Sequence, residues 1–203
     1  MKLLTTLLCV AALLPAASFQ VSIDTSSLNT QAGTIDIQFN PGSFPAVYNS
    51  GTATITNFIL GGGTLGSIAS GPDGGASGTL PGPLTIINSD FLNGILYNGT
   101  FGTTASFLVD FTGAAFTGTG QSILTTLSVS LTGTNSSVVA QADLVGGSQL
   151  DTSFSSPGVT FQSAVPEPST FGLMAADLAA FFLRRRTREL RRILEITQSS
   201  KGW

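Results

Sequence analysis

The chain has 203 residues, of which 9% are charged, and it contains no His; ordinary soluble domains are roughly 25% charged. Between Phe19 and Val165 there is no Lys, Arg, His or Glu, only seven Asp, so this stretch has a net charge of −7. Nucleic-acid binding, which needs cations against phosphate, and catalysis by a His, Lys or Cys side chain are thereby excluded from it.

In chain order, Met1-Lys2 leads into the apolar run Leu3–Leu14, followed by Pro15 and the small residues Ala16-Ala17-Ser18. A basic start, an apolar core and a small-x-small site predict a secretory signal peptide over residues 1–18. Cleavage is expected after Ser18, with Ala16 three residues before the cut. Cys9, the single cysteine, sits inside the apolar run behind Leu8, which argues against lipid attachment there. A mature chain without cysteine relies on a packed core in place of disulfides.

Residues 19–164 show period-two patterning repeatedly. Ile35, Ile37 and Phe39 alternate with Asp36 and Gln38, and Leu127, Val129 and Leu131 alternate with Ser128 and Ser130. Val138, Ala140, Ala142 and Leu144 repeat the pattern. Ala53–Ile59 has apolar residues in both phases, which predicts a strand buried on both faces. Further strands are expected at 21–23, 84–87, 94–97, 105–111 and 159–161. Turn signals such as Asn40-Pro41-Gly42, Gly61-Gly62-Gly63 and Gly71-Pro72-Asp73-Gly74-Gly75 separate the runs. About nine short strands with frequent turns predict an all-β fold, an antiparallel sandwich of jelly-roll type with a Phe, Ile, Leu and Val core.

Within this ectodomain the candidate chemistry is sparse. Glycoside hydrolysis needs two carboxylates facing one cleft, but there is no Glu and no Trp here, and most Asp sit at turns, where they cap backbone groups. The expectation is a protein that is not an enzyme. Asp73, in a Gly-rich turn, is a candidate calcium ligand, and no other cofactor is indicated. Tyr48 and Tyr97 are the aromatic candidates for a carbohydrate platform in a lectin-like alternative. Phe on alternating strands reads as core.

The C-terminal part reads Val165-Pro166-Glu167-Pro168-Ser169-Thr170, then an apolar run Phe171–Leu183, then Arg184-Arg185-Arg186. The two prolines hold the segment extended, Ser169 and Thr170 are helix-cap residues, and the Arg cluster favours a cytoplasmic position. These three elements in this order resemble the PEP-CTERM sorting signal, here spanning 165–186. The resemblance implies an exported protein, held first in the inner membrane with its ectodomain outside. An exosortase-type sorting protease would then process it near Pro166, Glu167 and Pro168. Delivery to the cell surface, or to an extracellular or biofilm matrix rich in exopolysaccharide, follows from the same resemblance. The segments Ser18–Ser26, Ile35–Gly42 and Ala53–Phe58 are similar to those of small PEP-CTERM proteins whose ectodomain has no assigned activity.

Two features depart from that pattern. The apolar run is 13 residues long, about 20 Å as a helix against roughly 30 Å of hydrocarbon, and Asp177 interrupts it. Residues 187–203 continue past the Arg cluster, with Leu190, Ile193, Leu194 and Thr197 at helical spacing. Two readings of this tail stay open: a basic amphipathic helix on the inner leaflet, or an extension with no adapted role.

Overall fold

A computed structural model describes residues 17–42, 50–117, 125–146 and 149–164. The expected C-terminal helix and the tail fall outside them. Twelve strands follow one another: β1 (Ala17–Asp24), β2 (Ala32–Pro41), β3 (Gly51–Gly61), β4 (Thr64–Asp73), β5 (Gly75–Gly78) and β6 (Leu84–Ile87), then β7 (Gly94–Thr100), β8 (Thr104–Gly113), β9 (Thr125–Thr132), β10 (Ser137–Gly146), β11 (Gln149–Asp151) and β12 (Val159–Ser163). Among the described residues a 3₁₀ turn (Ser26–Leu28) and a one-turn helix, α1 (Ala114–Thr117), interrupt them. One six-stranded sheet has the order β12-β1-β8-β3-β6-β5 and the other β11-β10-β9-β2-β7-β4. All pairings are antiparallel. The fold is an all-β sandwich.

The alternation read from the sequence is what fills the core. Ile35, Ile37 and Phe39 of β2 and Leu127, Val129 and Leu131 of β9 are fully buried, as are Phe107, Val109 and Phe111 of β8. Residues of both sheets join one hydrophobic cluster. Phe39 of one sheet meets Phe111 of the other with ring centroids 5.9 Å apart. Phe116 of α1 stacks on Phe111 at 5.7 Å, and Phe19 lies 6.4 Å from Phe116. These separations fall in the favourable range for aromatic pairs, and each buried ring adds roughly 1.5–3 kcal/mol by leaving water.

Strand β3 corrects the expectation of burial on both faces. Thr56 pairs with Leu108 and Ile59 with Ser106, so three steps on β3 match two on β8. The extra residue is a β-bulge, and Asn57 occupies the left-handed region at φ 54°. The bulge switches the phase of the strand. Ala53 and Ile55 point inward before it, Phe58 and Leu60 after it, and Ile59 is turned out to 58% exposure. Both apolar sets serve a single buried face, one on each side of the bulge.

The chain enters and leaves the sandwich side by side. Strands β1 and β12 are hydrogen-bonded neighbours with Phe19 opposite Ser163, and the Ala164 N–H donates to the Ser18 carbonyl at 2.8 Å.

Candidate functional site

The solvent side of the second sheet is polar because the residues out of phase with the core are Asp, Gln, Asn, Ser and Thr. Asp36 lies opposite Ser130 of β9, Gln38 opposite Ser128 and Asn40 opposite Thr126. Along β2 these side chains form a directional chain. The backbone N–H of Asn93 donates to Asn40 Oδ1 at 2.7 Å. Asn40 Nδ2 donates to Gln38 Oε1 at 2.8 Å, and Gln38 Nε2 to Asp36 Oδ2 at 2.7 Å. The run ends on a carboxylate that accepts and has nothing to donate. Burial pushes the Asp36 carboxyl up from the ordinary value, and the Gln38 amide opposes this in part.

Beside this row a hollow of about 170 Å³ opens on the sheet surface, lined by Asp36, Gln38, Ser70, Asp73, Leu92 and Leu96. Its floor passes Gly94, which pairs with Gln38 on one side and Asp73 on the other. A Cβ on Gly94 would stand 2.5 Å from the Ile37 carbonyl oxygen and 3.0 Å from Gln38 Cγ. The bare residue is what lets the three strands close up beneath the hollow.

Leu92, which lines the hollow, belongs to the turn from Asn88 to Asn93. Both end residues are fully buried. Asn88 Oδ1 accepts from the Gly51 N–H at 2.7 Å, and its Nδ2 donates to Thr125 Oγ1 at 3.0 Å. Asn93 Oδ1 accepts from the N–H groups of Gly75 and Asp90 at 2.9 and 3.0 Å, while its Nδ2 donates to the Asp90 carbonyl at 2.7 Å. Pinned at both ends, the turn holds Phe91 at 70% exposure and Leu92 at 47%.

The residues singled out from sequence fall in different places. Asp73 ends β4 and lines the hollow together with Asp36. Among the described residues no group of three or more His, Cys, Asp or Glu gathers into a metal-binding set. Tyr97 requires a correction: it is 2% exposed and its hydroxyl accepts the Leu80 N–H at 2.9 Å, so it is a core residue and offers no open platform. It points inward because it lies in phase with the buried Ile95 of β7. Tyr48 and Ala16 lie outside the described residues. Ser18 is nearly buried in β1, where its hydroxyl donates to the Asp110 carboxylate.

Sequence reasoning missed Asp36, Gln38 and Phe91. The first two read as ordinary outward positions of an alternating strand. Phe91 carries a usable signal, since it stands in a run of turn residues, Asn88-Ser89-Asp90-Phe91-Leu92-Asn93-Gly94, with no alternation to bury it.

The end of the described sandwich meets a recognisable signal. Residues 164–186 match the PEP-CTERM protein-sorting motif. The chain carries a PEP-CTERM sorting signal. Pro166, Glu167, Pro168, Arg184, Arg185 and Arg186 all lie within the matched span and outside the described residues. The PEP-CTERM signal implies an exported protein, targeted to an exosortase-type enzyme and sorted at the membrane before surface display. It starts at the residue directly after β12, so sandwich and signal abut in sequence. No curated protein and no solved structure matches the chain, and no helix among the described residues is long and apolar enough to cross a membrane.

Proposed function

We propose that this chain is a non-catalytic surface or matrix protein whose sandwich is the delivered part and whose terminal segments are its transport labels. The observation that carries the reading is the junction at Ala164, where the last strand gives way to the sorting motif with no intervening residue. Processing near Pro166-Glu167-Pro168 releases an intact sandwich or passes it to an acceptor at the cell surface. The delivered part is free of cations and coated with amide, hydroxyl and carboxylate groups, a surface suited to hydrated exopolysaccharide. It interacts by hydrogen bonding and not by ion exchange.

The test is fractionation of the producing cells with intact-mass analysis of each fraction. A species truncated near Val165, present in the surface or matrix fraction and lost when the sorting protease is deleted, is expected. Full-length protein ending in Trp203 and confined to the inner membrane would refute the reading.

A second, lectin-like reading draws on the hollow that Asp73 shares with Asp36. In its calcium form, Asp73 would bind the ion with Asp36 and the Ser70 hydroxyl as co-ligands. Titration of calcium chloride into the exported protein is expected to give saturable heat that Asp73→Asn removes.

A further inference from the structure

We infer that the signal peptidase cuts this chain at the Ala16–Ala17 bond, so that the delivered sandwich begins with Ala17 and keeps Ser18. The inference rests on the export reading above, and it moves the processing site two residues from the one that spacing alone suggests.

The sequence offers more than one bond. Ala16, Ala17 and Ser18 are all small, and a small side chain directly ahead of the bond is what the peptidase requires. The small-x-small spacing favours a cut after Ser18. A cut after Ala16 also has a small residue ahead of it, and it discards the whole apolar run with Pro15. The peptidase reads an extended chain before the sandwich forms, so burial in the folded state shields neither bond. What separates the two is the product that each leaves.

Strand β1 is built into its sheet from Ala17 onward. Ala17 lies opposite Phe111 of β8, and Phe111 lies opposite Ala53 of β3 on its other side. Ala17 thus ends a row that points inward, and it packs against the hydrophobic cluster. Ser18 belongs to the outward row, opposite Asp110. It is only 8% exposed, and its hydroxyl donates to the Asp110 carboxylate. Its carbonyl accepts from the Ala164 N–H at 2.8 Å, which ties the first strand to the chain's exit. A cut after Ser18 discards all of these contacts. A cut after Ala17 keeps those of Ser18 and empties the inward position opposite Phe111. The cut after Ala16 alone leaves β1 complete, so that sequence, pairing and packing agree.

The charge made by the cut points the same way. Each cut creates an α-ammonium, and no Lys, Arg or His lies between Phe19 and Val165 to accompany it. On Phe19 the ammonium would stand between two strands, with Val109 on one side and Ser163 on the other. The Phe19 ring is also packed there, 6.1 Å from that of Phe111 and 6.4 Å from that of Phe116. A charge placed among paired strands gives up hydration that no counter-ion replaces. On Ala17 it stands at the first residue of the strand, past the rung that joins Ser18 to Ala164.

The test is analysis of the N-terminus of the truncated protein recovered from the surface or matrix fraction. An amine-reactive tag marks its first residue alone, because the delivered part holds no Lys. A protease that cuts after Asp then releases the tagged peptide ending at Asp24. A tag on Ala17 is expected. A tag on Ser18 or Phe19 overturns the assigned bond and leaves the export reading standing, whereas a chain that keeps Met1 in every fraction overturns both. Ser18→Leu gives a second measurement that does not depend on folding. In pulse-labelled cells it is expected to be processed at the parent's rate, since the substitution lies past the bond. Processing that stalls, as a bulky residue directly ahead of the bond would cause, overturns the assignment.

Discussion

Asn93 shows how much one buried amide can organise. Its side chain bonds the Gly75 and Asp90 N–H groups and the Asp90 carbonyl, and its backbone engages Asn40 and Phe39. Asn93→Ala removes these three hydrogen bonds, made by a fully buried side chain, and takes the acceptor from the Gly75 and Asp90 N–H groups; it is expected to cost about 1–3 kcal/mol, read from the urea midpoint. Ser18 supports a second prediction. A chain beginning at Ala17 keeps the hydroxyl that donates to Asp110 and the carbonyl that accepts from Ala164. One beginning at Phe19 loses both and should be about 1–2 kcal/mol less stable, as paired denaturation curves would record. Titration adds a third. Burial raises the carboxyls of Asp36 and Asp110 above the ordinary value of 3.8. Their contribution to stability is therefore fully present below that value and is lost as pH rises through their folded values. Asp24 and Asp151 work in the opposite sense. Ser26 donates to Asp24 through its hydroxyl and its backbone N–H, and the Ser153 backbone N–H donates to Asp151. Both carboxyls are held below 3.8, and their contribution is lost as pH falls through the lowered values. Asp36→Asn should raise stability at neutral pH and flatten the curve just above the ordinary carboxylate range. Thermal unfolding across a pH series measures this, and a steeper curve would contradict the assignment.

At the scale of elements, the bulge in β3 governs which side chains reach the core. Asn57 adopts φ 54°, which Asn tolerates and a β-branched residue does not. Asn57→Gly should be close to neutral and Asn57→Val should cost about 1–3 kcal/mol, checked by thermal melts of the two variants. The same strand marks the limit of what sequence could disclose. The central strands β2, β8 and β9 were legible because each buries one face, so hydrophobicity alternates with the pleat. In β3 the alternation is present but changes phase at Asn57, and without the partner strand the two phases look like two buried faces. Strand β4 was hidden for another reason. It lies at the sheet edge and is exposed along nearly its whole length, so Gly66, Ser67, Ser70 and Gly71 leave no pattern and read as loop. The hollow was illegible for the same cause, because it needs β4 beside β7 to bring Asp73 and Ser70 to Asp36. Tyr97 could be assigned to a strand from sequence, but its inward direction depended on the register of β7.

For the whole molecule, seven carboxylates face no compensating base between Phe19 and Val165. Their mutual repulsion is screened by salt, so the melting temperature should rise as sodium chloride is added from low ionic strength; calorimetry at several concentrations would show it. Segregating the cations into the two terminal segments leaves the sandwich with a single sign of charge throughout. The neighbouring positions of β1 and β12 carry a mechanical corollary. Because the polypeptide's two exits lie across one ladder, with Phe19 opposite Ser163, tension applied between them peels that ladder rung by rung, while tension on one exit alone loads no such zipper. A sandwich held at both exits would open at low force from this seam; once either hold is cut, the seam bears no load.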